Sequence, residues 1–150
     1  MIRLRAPTAE DEALLWQLYL VRRADETARW GLPPAELEAL MRMQHRAERA
    51  GWARDFPDAE HHIVEVDGVS VGRAVYHADD ERMLVVDMAF LPSMQGRGIG
   101  GRLFADLIAR AAPRPVEIAM FHDARSRAFG EKQGFRVSAS DEIYLRMRSH

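Results

Sequence analysis

Four glycines in seven residues, at Gly96, Gly98, Gly100 and Gly101, are the strongest chemical signal in this sequence of 150 residues. They close a longer stretch, Val85–Gly101, on which the chain is organised. Leu84–Leu91 before them is almost unbroken apolar sequence and reads as a strand buried on both faces. Pro92 stops that strand, because it has no N–H to give to a ladder. After the glycines, Ile99, Leu103, Leu107, Ile108 and Ala111 fall on one face of a 3.6-residue helix. A strand, a glycine loop and a helix start in this order make an anion cradle. The first N–H groups of a helix have no internal partner and carry the positive end of its dipole. Glycines let such a backbone approach a phosphate without a Cβ in the way.

Three phosphate-binding patterns compete for the loop. Gly96-x-Gly98-x-x-Gly101 matches the dinucleotide fingerprint, but that motif normally opens a doubly wound domain, and only 49 residues follow Gly101. A nucleoside-triphosphate loop needs a lysine followed by Ser or Thr, and the single lysine of the chain is Lys132. The third pattern is Gln95-x-x-Gly98-x-Gly100 following Phe90-Leu91-Pro92. A glycine-rich turn without a ligand is the plain alternative to all three.

Other side chains that could do chemistry are sparse. Asp87 is the one carboxylate inside the apolar central run, the setting a general base wants; a structural aspartate bonded to backbone or arginine is the equal alternative. His61 and His62 are adjacent on an alternating segment and face opposite sides, a poor metal pair. His45 and Glu48 share a helix face of the kind that is usually solvated. His122 follows a strand within reach of the loop's neighbourhood. No metal is expected.

The elements that must position these residues follow from periodicity and punctuation. Ile2–Arg5 alternates as a first strand. Thr8 with Asp11 imitates a capping box and opens a helix carrying Leu14, Leu15, Leu18 and Val21, to about Asp25. Pro33 and Pro34 start a second helix with a stripe of Leu37, Leu40, Met41, Gln44 and Ala47, which Gly51 ends. His61–Asp67 and Val69–His77 form a hairpin about Asp67-Gly68, and Asp79-Asp80-Glu81 turns into the central strand. Beyond the loop, Pro115–Met120 is a buried strand, Asp123–Gln133 a short helix ended by Gly134, and Phe135–Ser138 with Glu142–Arg148 a closing hairpin.

The third loop pattern and this element order together resemble the GNAT (Gcn5-related) N-acetyltransferases, over most of the chain. Their coenzyme A loop reads Arg/Gln-x-x-Gly-x-Gly/Ala after a strand ending Val-x-Pro, and Phe90 stands here at the Val position. Phe129-Gly-Glu-Lys-Gln-Gly-Phe135 resembles a second segment of the family. The resemblance implies an α/β fold: a mixed, mainly antiparallel twisted sheet of about seven strands with helices on both faces, in a single domain spanning 1–150. It implies acetyl-CoA as cosubstrate and transfer of its acetyl group to a primary amine of a small molecule or peptide by direct attack. A non-catalytic acyl-CoA-binding module and a nucleotide-binding regulatory domain are the rivals.

Site residues follow from the resemblance position by position. Backbone groups of Met88, Ala89 and Phe90 would pair with the pantetheine arm, and an N–H near Phe90 would face the oxyanion. Loop N–H groups of Gln95, Gly96, Arg97, Gly98, Ile99, Gly100 and Gly101 would hold the pyrophosphate. Asp123, Ser126 and Phe129 fall on further cofactor-side positions. The sequence departs from the family at Gly130, where a tyrosine commonly protonates the leaving thiolate, and at Ile118, where an acidic residue sometimes serves as base; Glu117 beside it points the other way by alternation. Asp87 is the candidate base, with Tyr144 and Ser126 as stand-ins for the acid. Tyr19, Trp30, Met41, Met43 and Trp52 are candidates for an acceptor wall, or core and edge packing.

Composition bounds the rest. A net charge of −2 gives no support for non-specific nucleic-acid binding. With no cysteine, a disulfide scaffold, a thiolate metal site and a cysteine acyl-enzyme are excluded. Neither a signal-peptide pattern nor an apolar run of membrane-spanning length is present, so a soluble cytoplasmic protein without membrane partners is expected. The resemblance allows a homodimer.

Overall fold

The computed structural model describes residues 1–121 and 124–149, and only the backbone of Phe121 and of 124–126. The described elements run β1 (Ile2–Arg5), α1 (Glu12–Ala28), α2 (Pro34–Asp55), β2 (Glu60–Val66), β3 (Val69–Ala78), β4 (Met83–Phe90), α3 (Ile99–Ala111), β5 (Val116–Phe121), α4 (Ala124–Lys132), β6 (Arg136–Ser140) and β7 (Tyr144–Arg148). The strands form one sheet in the order β1-β2-β3-β4-β5-β7-β6. β1 with β2, β5 with β7 and β6 with β7 pair antiparallel, and β4 with β5 pair parallel. The mixed, mainly antiparallel seven-stranded sheet expected from the sequence is therefore present. The chain divides into two compact units, one of residues 1–73 with 89–95, the other of 74–88 with 96–150.

In the first unit the ends of β1 and α1 are tied by charge. Thr8 caps the short turn Ala9–Asp11 through the expected capping box. Asp11 accepts two hydrogen bonds from the Arg5 guanidinium, at 2.7 and 2.8 Å, and one from the Thr8 N–H at 2.7 Å. This ion pair holds the Asp11 carboxyl well below the usual carboxylate range. Leu15, Leu18 and Tyr19 of α1 and Met41 of α2 are buried, so Tyr19 and Met41 are core residues rather than an open wall, while Met43 is exposed.

Both helices outrun their expected ends. α1 reaches Ala28, and α2 passes through Gly51 to Asp55. The built Cβ position at Gly51 meets only the far end of Arg54, so glycine here is a tolerated helical residue and not a stop signal.

His45 is a second correction. It is 7% exposed, not on a solvated face. Its ring lies 4.7 Å from that of Tyr19 and 5.6 Å from that of Trp16. Burial, then the nearby Arg49 and Arg73 guanidiniums, lower its pKa from 6.5 to about 4. The native state thus resists protonation that the unfolded chain accepts. Stability contributed by neutral His45 is present above about pH 6.5 and falls as pH drops from there toward about 4. Denaturant titrations should show about 2 kcal/mol less stability at pH 5 than at pH 7 from this group. His45→Leu should flatten that slope; an unchanged slope in the variant would refute the assignment.

In the second unit, Leu103, Phe104, Leu107 and Ala111 of α3 are buried with Val116 of β5 and Leu145 and Met147 of β7. Phe104 sets its ring edge-on to Phe129 and Phe135 at 5.8 and 5.2 Å. Glu117 is buried between Arg82 and Arg148, with Arg148 Nε at 2.7 Å. Burial pushes its carboxyl up, and the two guanidiniums more than offset this, leaving it below the usual range. Glu117 is thus committed to a structural ion pair.

Candidate functional site

β4 is not buried on both faces. Met83 and Val85 are buried, whereas Val86 through Phe90 are half-buried. The exposure has a topological cause. Among the described residues, parallel pairing of β4 with β5 runs through Met83↔Val116, Leu84↔Glu117 and Val85↔Ile118 and goes no further. β5 continues as Ala119, Met120 and Phe121, pairing on its other side with Arg146, Leu145 and Tyr144 of β7. The two parallel strands therefore part after Val85, leaving backbone N–H and C=O groups that an extended ligand arm can use as a ladder.

Asp87 sits on β4 two residues beyond that parting, half-buried. Tyr144 stands on β7 opposite Phe121, with half its surface exposed. Asp123 lies outside the described residues, as does His122; Ser126 falls in α4, its side chain outside them too.

The glycine loop has the conformation its composition foretells. Leu91 leads into a short turn, Pro92–Met94, after which Gly96 and Gly98 take φ of +78° and +76°. These left-handed angles cost a side-chain-bearing residue about 1–2 kcal/mol. Nothing lies within 4 Å of a Cβ built at either position, so the space around them is open. Gly98 is the N-cap of α3 and contributes no side-chain cap. The first intrahelical bond runs from the Arg102 N–H to the Gly98 carbonyl at 3.1 Å, which leaves the N–H groups of Ile99, Gly100 and Gly101 at the helix mouth. Ile99 anchors this turn with a buried side chain, while Gln95, Arg97 and Arg102 are exposed. Gln95 donates weakly to the Phe90 carbonyl at 3.4 Å.

Gly101 serves a different purpose. A Cβ there would sit 2.8 Å from Oε1 of Gln133, so its smallness lets α3 approach the end of α4. In the first unit, Gly72 does the same for β3: a Cβ would lie 2.5 Å from the Ala89 carbonyl oxygen and 2.6 Å from the Phe90 ring. The Leu91 N–H donates to the Val71 carbonyl at 2.9 Å and fixes that register. Sequence reasoning passed over Gly72; an isolated glycine in a strand pattern was the available signal.

Phe129 is partly exposed, with its ring against Phe104. Gly130, at the position of the usual tyrosine, is buried. A Cβ there would lie 2.3 Å from Sδ and 2.9 Å from Cε of Met147, with Met120 Cε at 3.2 Å. The departure is thus compensated: two methionines occupy the space beside the helix.

The chain matches the family model described as Acetyltransferase (GNAT) family over residues 15–135. No curated protein matches the sequence significantly. Among solved structures, it is similar to the PaiA N-acetyltransferase from Thermoplasma acidophilum in complex with coenzyme A, at 14% identity and a TM-score of 0.70, covering 99% of this chain and 98% of that one. It is also similar to a GNAT family acetyltransferase from Elizabethkingia anophelis with acetyl-CoA bound, at 15% identity and a TM-score of 0.63, covering 99% and 97%. The ribosomal-protein-S18-alanine N-acetyltransferase from Escherichia coli is a third, at 13% identity and a TM-score of 0.61, covering 99% and 93%. At such identities the likeness is one of fold.

Proposed function

Because this chain belongs to the GNAT acetyltransferase family, we propose that it is an acetyl-CoA-dependent N-acetyltransferase acting on a primary amine of a small molecule or peptide, with residues 1–150 working as a single domain. The observation that carries this reading is the left-handed Gly98 opening α3, with the N–H groups of Ile99 to Gly101 behind it. Such a mouth fits a pyrophosphate, and Arg97 and Arg102 add exposed positive charge on either side of it.

Acetyl-CoA brings an acyl carbon activated by a thiolate leaving group. The chain's own residues must orient it, hold the developing oxyanion and move two protons. Met88 to Phe90 pair with the pantetheine arm as an added strand, and an N–H near Phe90 faces the oxyanion. The amine nitrogen bonds to the acyl carbon, the carbon–sulfur bond breaks, and the sulfur leaves as thiolate. Asp87 takes the amine proton, directly or through water. With Gly130 in place of the usual tyrosine, the thiolate collects its proton from Tyr144, Ser126 or solvent.

Titration with acetyl-CoA and a thiol-release screen over primary amines test the reading. Asp87→Asn should lower kcat by about 10²–10⁴-fold with little change in acetyl-CoA affinity. Gly130 favours one rival, an acyl-CoA-binding regulatory module. Acetyl-CoA binding without thiol release from any amine would select it, and absence of acetyl-CoA binding by folded protein would end both.

A further inference from the structure

Gly72 is buried within β3, and its φ is not left-handed, so nothing in its own backbone calls for glycine. Its neighbours in the first unit do. A Cβ there would stand 2.5 Å from the Ala89 carbonyl oxygen and 2.6 Å from Cδ1 of Phe90. Carbon and carbonyl oxygen ordinarily meet at about 3.3–3.6 Å. The ring can turn about its side-chain bonds, but the oxygen is backbone. The strands are also held together at this end, because the Leu91 N–H donates to the Val71 carbonyl at 2.9 Å.

The place of that oxygen sets the direction of a donor. The Ala89 carbonyl and the Phe90 N–H are the two ends of one trans peptide plane, in which C=O and N–H point in opposite directions. With the oxygen lying on β3 at Gly72, the Phe90 N–H is aimed away from β3. That N–H is the group assigned above to the oxyanion. We infer that Gly72 is a positioning residue for the reaction. Its missing side chain lets the Ala89 carbonyl lie on β3 and so aims the Phe90 N–H at the thioester oxygen. The inference rests on the acetyltransferase reading and adds to it a residue that acts through another. A side chain at position 72 drives the oxygen off, and turning the peptide plane is the easiest escape, because bond angles and ω are stiff. The N–H turns with it, and a hydrogen bond weakens steeply as alignment is lost.

Two ligands that differ only in the acetyl group give the test. The Phe90 amide proton is followed by NMR while wild-type protein is titrated with acetyl-CoA and, separately, with coenzyme A. Its resonance should move further downfield with acetyl-CoA. In Gly72→Ala that difference should vanish. With the amine that gives the fastest thiol release, kcat should fall about 10²-fold or more, as on loss of an oxyanion donor, while KM for acetyl-CoA and affinity for coenzyme A stay within about threefold. If Gly72→Ala does not fold, the double variant Gly72→Ala with Phe90→Leu takes its place with the same expectations, since it removes the ring from the clash and keeps the N–H of residue 90. Packing alone would cost stability and leave the amide difference and kcat as they were. A folded variant that keeps either one overturns the inference. So does a wild-type Phe90 proton that responds equally to the two ligands, a result that needs no variant. Acetyl-CoA binding with an indifferent Phe90 N–H ends this inference alone, whereas no acetyl-CoA binding by folded wild type ends the proposed function with it.

Discussion

Gly98→Glu is expected to weaken acetyl-CoA binding by at least about 100-fold, which corresponds to about 2.8 kcal/mol. Two effects combine. The left-handed φ of +76° at Gly98 resists any side chain, so the helix mouth loses its geometry or the protein loses stability. That effect is worth about 1–2 kcal/mol. The second effect is charge. A carboxylate at the N-cap neutralises the positive helix end and would repel a pyrophosphate bound there as proposed; like charges about 4–6 Å apart repel by about 3 kcal/mol at an effective dielectric near 20. Open space around the built Cβ means that steric clash contributes nothing.

Gly98→Ala separates the two effects. It carries the backbone penalty without the charge, so its affinity should fall less than about tenfold while its stability drops by about 1–2 kcal/mol. Calorimetric titration of both variants, with thermal unfolding as a check on the fold, makes the comparison. If Gly98→Glu binds acetyl-CoA within threefold of wild type, the loop is not the phosphate site, and the family's phosphate-binding geometry is not used here.

The loop was legible in the sequence because its demands are written in backbone conformation, and only glycine meets them at Gly96 and Gly98. The order of elements along the chain was legible because turn residues such as Asp67-Gly68 and alternating apolar runs mark where each begins and ends; the seven-stranded mixed sheet followed from the family resemblance, and the order of its strands was not read. What escaped was whatever depends on a partner far away in sequence. Half-exposure of Val86 to Phe90 follows from where β4 and β5 part, and an apolar run cannot report that. His45 looked solvated because histidine beside arginine and glutamate usually is, yet it stands four residues after buried Met41 and so on the same face. That spacing was the missed signal. Arg73 is similar: a polar residue in an alternating strand reads as outward-facing, yet this one is buried, with its guanidinium over the Trp52 ring of α2.

Restoring the family's tyrosine by Gly130→Tyr should cost at least about 3 kcal/mol of stability and should not raise turnover. A missing tyrosine read from sequence invites the substitution; the packing argues against it. The space around Gly130, bounded by Phe104, Ile118, Met120, Phe129, Gln133 and Phe135, has no room for even a water molecule. Gly130→Ala is the sharper probe, because two effects of opposite sign act on it. Within α4, replacing glycine by alanine gains up to about 1 kcal/mol of helix propensity. Against that, the new Cβ would sit 2.3 Å from Met147 Sδ. The end of a methionine is flexible and often yields, but Met147 is fully buried on β7 between β5 and β6, with Met120 Cε closing another side. Overpacking a site of this kind costs about 1–3 kcal/mol, so the net change should be a loss. Met147→Ala on its own should cost about 2–5 kcal/mol through the cavity it leaves. Combined with Gly130→Ala, it should cost at least about 1 kcal/mol less than the sum of the two, since the new methyl group enters space the methionine has vacated. Urea unfolding of the four proteins measures this coupling. A Gly130→Ala variant more stable than wild type would mean that Met147 moves aside at little cost, and the tyrosine position would then be open to repair.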